Sequence, residues 1–393
     1  DLEGKYVFPG FVDVHVHLRE PGFIYKENIE TGTKAAAHGG FTTVCSMPNL
    51  KPVPDSKENL AIQLDAIKKD AKIRVYPYGA ISVGEMGEKL SDFEGMADNI
   101  IAFSDDGRGV QSDAMMLEAM KKIKGYNKIV AAHCEDNSLL FGGYIHDGEY
   151  ARTHNHKGIC SESEYAQIER DLRLVEETGC AYHVCHISTK ESVALIRDAK
   201  RRGVNVTCET APHYLVFNDE DLQEDARFKM NPPIRSEEDR KALIEGLLDG
   251  TIDMIATDHA PHLLTEKQGD CSKAASGGPM VQHSLIVMLE LAAKGVFSIE
   301  KVVETMSHNP AILYGINKRG YIREGYYADL VVVKPAKWTV SQDNVLTKCG
   351  WSPLEGEEFS NQVAMTIVNG NVVYKDGEHQ PFVAGKRMTY DQR

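Results

Sequence analysis

Short apolar runs alternate with longer amphipathic stretches over residues 11–256 of the chain. Eight runs have the length and the apolar or alternating character of strands, and helical patterns separate most of them. The predicted strands cover 11–17, 41–47, 73–81, 99–103, 128–132, 181–185, 204–208 and 252–256. Helices are predicted over about 27–37, 55–69, 112–124 and 162–177, and from Thr189 onward. This alternation favours parallel βαβ units.

Polar side chains stand where several of these runs end, and their distribution favours a closed barrel. Barrel enzymes build their sites at the carboxyl ends of several different strands, whereas an open doubly wound sheet concentrates them near one switch point. The expected fold is therefore an α/β (β/α)8 barrel. The strand-end residues are His15, His17, Asn49, Asp105, Asp106, His133, His186 and Asp258.

The pattern changes after about Tyr314, where alternating apolar positions appear at 328–333, 363–368 and 372–374. The Asn369-Gly370 pair between the last two runs is a strong hairpin signal. We expect a small β-sandwich domain formed by the two chain ends. The expected division assigns residues 1–8 and 319–393 to this domain and 9–318 to the barrel.

Composition narrows the functional classes. The 393 residues carry a formal net charge of −14 without a basic stripe, which argues against nucleic-acid binding. No apolar run is long enough to span a membrane. The eight cysteines include no Cys-x-x-Cys pair, and several lie in apolar runs, as expected of free thiols in the cytoplasm.

His15 and His17 share one face of the first strand, as half of a metal site would. An isolated His-x-His is more often structural, and a Cys134 nucleophile beside His133 is a weaker alternative. The full donor set favours a metal site over a structural role, because four imidazoles and two carboxylates suit two divalent ions that share a bridging carboxylate. That set comprises His15, His17, Asp106, His133, His186 and Asp258.

The chain resembles the dihydroorotases of the amidohydrolase superfamily. His-x-His alone marks only the superfamily, whereas the longer motifs are more specific and span most of the barrel. The matching segments are His15-Val-His-Leu-Arg-Glu-Pro-Gly22, Met47-Pro-Asn49, Asp105-Asp-Gly107, His133-Cys-Glu-Asp136, Cys185-His-Ile-Ser-Thr189, Asn231-Pro-Pro233 and Thr257-Asp-His-Ala-Pro-His262.

The resemblance implies a role for each matching residue. His15, His17 and Asp258 would hold one metal ion, His133 and His186 a second, and Asp106 would bridge them where many relatives use a carboxylated lysine. Asp258 would also act as the catalytic base. Arg19 and Asn49 would bind the substrate carboxylate, and Asn231 and His262 would contact the ring. The implied reaction is reversible hydrolysis of the cyclic amide of dihydroorotate in pyrimidine synthesis.

Several alternatives stay open at this point. Segment 275–282 differs from the pattern expected of aspartate-bridged dihydroorotases, and the family's usual N-terminal strands are missing. Another cyclic amidase (a hydantoinase, dihydropyrimidinase or allantoinase) is the main alternative, and a non-catalytic homologue is a weaker one. We expect one or two zinc ions, with manganese or cobalt also compatible with the ligands. The expected partner is a small-molecule substrate, and a homodimer is possible.

Overall fold

A computed structural model describes Leu2 and residues 4–380. The strands are β1 (Tyr6–Pro9), β2 (Phe11–Val16), β3 (Phe41–Ser46), β4 (Arg74–Pro77), β5 (Gly79–Ala80), β6 (Phe103–Ser104), β7 (Ile129–Ala132), β8 (Ile145–His146), β9 (Gly158–Ile159), β10 (Ala181–Val184), β11 (Val206–Thr210), β12 (Met254–Ile255), β13 (Leu330–Thr339), β14 (Glu358–Val368), β15 (Asn371–Lys375) and β16 (Glu378–His379).

The helices follow most of these strands along the chain. They are α1 (Ile29–His38), α2 (Lys57–Asp70), α3 (Phe93–Met96), α4 (Asp113–Gly125), α5 (Glu149–Thr153), α6 (Glu162–Thr178), α7 (Lys190–Arg201), α8 (His213–Val216), α9 (Glu237–Leu248), α10 (Ser284–Ala293), α11 (Ile299–Val303) and α12 (Asn309–Leu313). None of the helices in this described part of the chain is both long and apolar enough to cross a membrane.

Parallel strands form the barrel that the sequence predicts. One sheet has the order β2-β3-β4 and the other the order β5-β6-β7-β10-β11-β12. A parallel bridge between Val16 and His259 joins the first strand to the segment after the last, and so closes the ring. Apolar side chains such as Val130 of β7, Ile123 of α4 and Ile168 of α6 share one buried cluster between the strands and the helices.

Two predicted strands differ from the structure. The run 73–81 is divided at Tyr78 into β4, which pairs with β3, and β5, which pairs with β6. The chain changes neighbour at this point, because the Tyr78 amide still donates to Ser46 whereas the Gly79 amide donates to Ala102. The predicted strand 99–103 is confined to β6, since Ile100, Ile101 and Ala102 are buried without strand pairing.

The chain ends build a second, antiparallel sheet in the order β1-β13-β14-β15-β16. Tyr6 pairs with Val333, which confirms that the start of the chain joins the C-terminal strands. The predicted Asn369-Gly370 turn connects β14 to β15. Together with the barrel, this sheet confirms the expected fold class. The proposed domain boundaries stay a prediction, and residues 381–393 lie outside the described residues.

A buried ionic cluster links the small sheet to the barrel. Asp329, just before β13, forms ion pairs with Arg74 of β4 and with Arg319. The Asn369 side chain accepts hydrogen bonds from both guanidinium groups, at 3.0 and 3.1 Å. Burial opposes ionisation of Asp329, but the two arginines outweigh it and lower the pKa of the carboxyl group. The cluster therefore fixes the hairpin turn against the barrel.

Candidate metal centre

The end of β2 supplies the first pair of imidazoles. His15 and His17 are both buried, and their Nε2 atoms each lie 3.4 Å from Asp106 Oδ2. Asp258 Oδ1 lies 3.5 Å from His15 Nε2 and 3.2 Å from His17 Nε2. Four donor groups from the ends of three strands, β2, β6 and β12, thus converge on a common point, as the ligands of one metal ion do.

A second pair of imidazoles faces the other oxygen of the same carboxylate. His186 Nε2 lies 3.4 Å from Asp106 Oδ1, and His133 Nδ1 lies 3.8 Å from it. The two ring nitrogens are 3.0 Å apart. Asp106 therefore directs Oδ2 toward His15 and His17 and Oδ1 toward His133 and His186. This is the arrangement of a carboxylate that bridges two cations.

Polar atoms without hydrogen-bond partners support this interpretation. His15 Nε2 and Asp106 Oδ1 are buried and accept or donate no hydrogen bond within the described part of the chain. Buried polar atoms are normally satisfied, so each exception needs an explanation. Imidazole nitrogens and carboxylate oxygens are ligands suited to zinc and similar divalent ions. The residues present therefore fit a metal centre.

The two carboxylates of the candidate centre are ionised, which is the form that binds a metal ion. Burial opposes the charge on Asp106, but the surrounding imidazoles, His15 above all, hold the pKa of this carboxyl well below its usual range. Burial also opposes ionisation of Asp258, and there the contact with His17 and the nearby His15 and His186 lower the pKa. Both groups therefore carry negative charge at neutral pH.

Two of the donors have unusual backbone conformations. His186 has a φ of 33° and Asp258 a φ of 45°, values that non-glycine residues rarely adopt. The Asp13 carboxylate supports the second of these turns, since Oδ1 accepts from the amides of His15 and Thr257 at 3.1 Å each. Asp13 thus joins β2 to the segment that follows β12. Strain of this kind persists where the surroundings impose it, and it is common at functional sites.

Glu209, at the end of β11, is a residue of the candidate site that the sequence did not single out. Its Oε1 accepts a hydrogen bond from His15 Nδ1 at 2.6 Å, and its Oε2 lies 3.1 Å from His183 Nε2. Burial opposes its ionisation, but His15 and His183 outweigh burial and lower its pKa to about 2. The carboxylate therefore keeps the proton of His15 on Nδ1 and leaves Nε2 free to bind a metal ion.

We expect the Glu209→Gln variant to bind its metal more weakly than the unmodified chain, by about 10- to 100-fold, because the imidazole of His15 loses its charged partner. Competition with a chelator for zinc measures the change directly. The exposed Glu245 of α9 provides the matched control as Glu245→Gln. Equal zinc affinity in the two variants would contradict the role given to Glu209.

Asn49 contacts a candidate metal ligand. Its Oδ1 lies 2.8 Å from His17 Nδ1, so it can fix the orientation of this imidazole as Glu209 does for His15. A Cβ atom on Gly107 would lie 3.4 Å from Asn49 Nδ2, which places the amide group against the turn that carries Asp106. Its predicted contact with the substrate carboxylate stays a prediction.

Arg19 and His262 lie together near the ends of β2 and β12. Arg19 Nη2 is 3.2 Å from His262 Nε2, and Lys26 Nζ is 3.0 Å from Nδ1 of the same ring. Burial and the two cations lower the pKa of His262 to about 2, so the ring is neutral. A neutral imidazole accepts only one hydrogen bond. Arg19 has five N–H donors and gives the one on Nε to the Pro261 carbonyl at 3.2 Å, so its guanidinium keeps donors for an anion, whereas Lys26 is paired with Glu266 at 3.0 Å.

Asn231 lies at a different part of the site, in a cavity of about 580 Å³ that it lines together with Glu135. Its buried Oδ1 has no hydrogen-bond partner in the described part of the chain. Glu135 Oε2 lies 3.6 Å from His133 Nε2, which connects this cavity to the second pair of imidazoles. The structure thus brings the six predicted metal ligands together and places the predicted substrate residues in two groups around them.

A barrel with this ligand set defines the class of metal-dependent hydrolases called amidohydrolases. A model of the amidohydrolase family matches residues 284–374, and a model of the dihydro-orotase-like family matches residues 4–192. The dihydroorotase of Fusobacterium nucleatum is 49% identical over 96% of this chain and 89% of its own length. The dihydroorotase of Macrococcus caseolyticus is 46% identical over 96% of this chain and 90% of its own length. The chain belongs to the dihydroorotase family.

Solved structures agree on the fold. The L-hydantoinase (dihydropyrimidinase) from Arthrobacter aurescens is 28% identical, with a TM-score of 0.87 over 97% of this chain and 88% of that one. A D-hydantoinase (dihydropyrimidinase) from a Thermus species is 27% identical, with a TM-score of 0.81 over 98% of this chain and 87% of that one. The identity to the two dihydroorotases is much higher than the identity to either hydantoinase.

Proposed function

We propose that the chain catalyses the reversible hydrolysis of the cyclic amide of L-dihydroorotate to N-carbamoyl-L-aspartate, a step of pyrimidine synthesis, at a metal centre of two divalent ions. The observation that carries the proposal is the position of Asp106, whose two oxygens each face one pair of imidazoles. The family membership of the chain supports the choice of reaction. The proposed ligands are His15, His17, Asp106, His133, His186 and Asp258.

The chemistry is divided between the ions and the side chains. Bound divalent ions would polarise the ring carbonyl and make a water molecule acidic enough to supply hydroxide at neutral pH. Asp258 is ionised and lies beside His15 and His17, so it can accept the proton from the attacking water. It then returns this proton to the ring nitrogen as the carbon–nitrogen bond breaks.

Arg19 gives the proposal its substrate specificity. Dihydroorotate carries a carboxylate on its ring, and a guanidinium group binds a carboxylate through two parallel hydrogen bonds. Burial lowers the pKa of Arg19 to about 10, which still leaves it charged at neutral pH. His262 is neutral and lies next to Arg19, so it can position the guanidinium group without neutralising its positive charge. Asn49 is proposed to bind the substrate carboxylate together with Arg19, and Asn231 and His262 are proposed to contact the ring.

We expect Arg19→Ala to raise the KM for L-dihydroorotate about 10- to 100-fold, the effect of losing a hydrogen-bonded charge pair. Ring opening is measured with the zinc-loaded protein. Arg19→Lys keeps the positive charge but cannot form the two parallel hydrogen bonds, so its KM is expected to lie between that of the unmodified protein and that of Arg19→Ala. The exposed Arg173 of α6 supplies the control variant Arg173→Ala.

The same assay tests the function itself, with hydantoin, dihydrouracil and allantoin as competing substrates. These neutral rings have no carboxylate for Arg19, and we expect L-dihydroorotate to be the preferred substrate. Faster turnover of a neutral ring, unaffected by Arg19→Ala, would instead assign the chain to one of the other cyclic amidases. Folded, metal-loaded protein without activity on any of them would favour a non-catalytic homologue.

Three further expectations belong to this proposal. Zinc is the expected metal, with manganese and cobalt compatible with the same ligands, and elemental analysis of the purified protein tests the identity and the number of ions. The cytoplasm is the expected compartment, which the eight free cysteines support. The possible homodimer is tested by sedimentation.

A further inference from the structure

Lys267 is a buried lysine whose charged group is surrounded by backbone carbonyls. Its Nζ donates to the carbonyl oxygens of Lys229, Ala275 and Gly277 at 2.9, 2.8 and 2.9 Å. The side chain also lies over the Trp351 ring, with Nζ 5.6 Å from the ring centroid. An ammonium group has three donors. All three donors of Lys267 are therefore used. Two of them bind carbonyls of the short stretch 275–277, and the third binds the carbonyl of Lys229.

Lys229 forms the same kind of contact with the residues that precede this stretch in the chain. Its Nζ donates to Cys271 at 2.9 Å and to Ala274 at 2.7 Å, and it lies 3.4 Å from the carbonyl oxygen of Ser272. Like Lys267, it is almost fully buried, with 6% of its surface exposed. Two ammonium groups thus bind five different carbonyls of residues 271–277, a segment we call the clasped loop.

The C-terminal end of the clasped loop is attached to two segments of the site. The Gly277 amide donates to the Lys229 carbonyl at 2.9 Å, two residues before Asn231. The amide of Ala260, in the segment between Asp258 and His262, donates to Gly278 at 3.0 Å. A Cβ atom on Gly277 would lie only 2.7 Å from the Ala260 side chain. A displacement of this loop would therefore displace the backbone on both sides of the site.

The clasped loop also forms part of the cavity wall. Ser272 and Ser276 line the same cavity of about 580 Å³ as Asn231 and Glu135. Lys229 contributes to this lining as well. The two lysines consequently act on the shape of a space that reaches the proposed ring contact Asn231, although neither of them touches a candidate metal ligand.

We propose that Lys229 and Lys267 are positioning residues, which hold the clasped loop as a rigid wall of the substrate cavity and so set the affinity for the substrate; this inference rests on the proposed function. Burial and the neighbouring charge of Lys229 lower the pKa of Lys267 to about 7. Burying two amino groups side by side is costly, and their contacts with the backbone carbonyls of the clasped loop offset this cost. A loop held only by apolar contacts would not need them.

The test is the Lys267→Met variant, which keeps the length of the side chain and removes its donors. We expect the KM for L-dihydroorotate to rise about tenfold, since small misplacements of a binding group have effects of this order or larger. The kcat is expected to change much less, and the zinc content not at all. Amide hydrogen exchange of residues 271–277 should become faster. Lys267→Arg, which restores donors to the same place, should recover part of the affinity.

The exposed Lys122 of α4 provides the control Lys122→Met, which should leave the KM and the amide exchange of residues 271–277 unchanged. Lys229→Met is the second variant, in case Lys267→Met does not fold, and it should give the same pattern. Unchanged KM and unchanged exchange in a folded variant would overturn the inference. If the unmodified protein fails to open L-dihydroorotate, the proposed function fails. The exchange experiment remains decisive in that case: faster exchange confined to residues 271–277 in Lys267→Met supports the role of the lysines in holding the loop, and unchanged exchange rejects it.

Discussion

The Asp258→Asn variant is expected to lose about three orders of magnitude in kcat while it still binds metal. Asparagine has nearly the same shape, and its amide oxygen can still face His15 and His17, but it cannot accept a proton. General acid–base catalysis contributes about 10²- to 10⁴-fold to the rate, and Asp258 would serve in both directions of proton transfer. The measurement is kcat for ring opening together with the zinc content of the same preparation.

The exposed Asp65 of α2 is the matched control, and Asp65→Asn should have normal activity. A metal-loaded Asp258→Asn protein that keeps most of its kcat would show that another group moves the proton. If zinc is lost together with activity, Asp258 is above all a ligand, and the assignment of the base would have to be withdrawn.

Replacement of Asp106 by asparagine is expected to have the largest effect on metal binding. Each Asp106 oxygen serves one pair of imidazoles, so the change removes an anionic ligand from both halves of the centre. We expect the zinc content to fall below one ion per chain, and ring opening to fall by at least about 10³-fold, as in the loss of an essential group. Elemental analysis and the same kinetic assay measure the two effects.

The neighbouring Asp105 shows why this prediction is specific to Asp106. Asp105 Oδ1 accepts hydrogen bonds from the amides of Ile81 and Ser82 at 2.8 and 3.0 Å, so it is occupied in holding the turn. Two zinc ions per chain in Asp106→Asn would contradict the bridging role. Normal zinc content in Asp65→Asn excludes a general effect of removing a negative charge.

The general architecture was predictable because two independent patterns agreed. Apolar runs at regular spacing indicated the strands, and polar residues at their ends indicated one end of a barrel. The structure brings all six predicted ligands together at that end. Adjacent residues in a strand point to opposite faces, which explains why His15 and His17 could be paired from sequence. The bridging role of Asp106, however, depended on the family resemblance.

The supporting residues were harder to predict. Glu209 follows Cys208 at the end of a predicted strand, so the rule that found the ligands could also have found it. Asp13 alternates with His15 and His17 along β2, which is a second signal that was present. The break at Tyr78 depends on a change of neighbouring strand, which no local pattern records. Contacts between a lysine and carbonyl groups use no particular residue type, so the clasped loop leaves no sequence signal at all.

The most direct test of the whole account is a zinc titration of the metal-free protein, with ring opening of L-dihydroorotate measured at each ratio of zinc to chain. We predict that activity rises with added zinc and reaches its plateau at two ions per chain, and that the Asp106→Asn protein stays inactive throughout. Full activity without metal, or no ring opening at any zinc ratio in folded protein, would contradict the account.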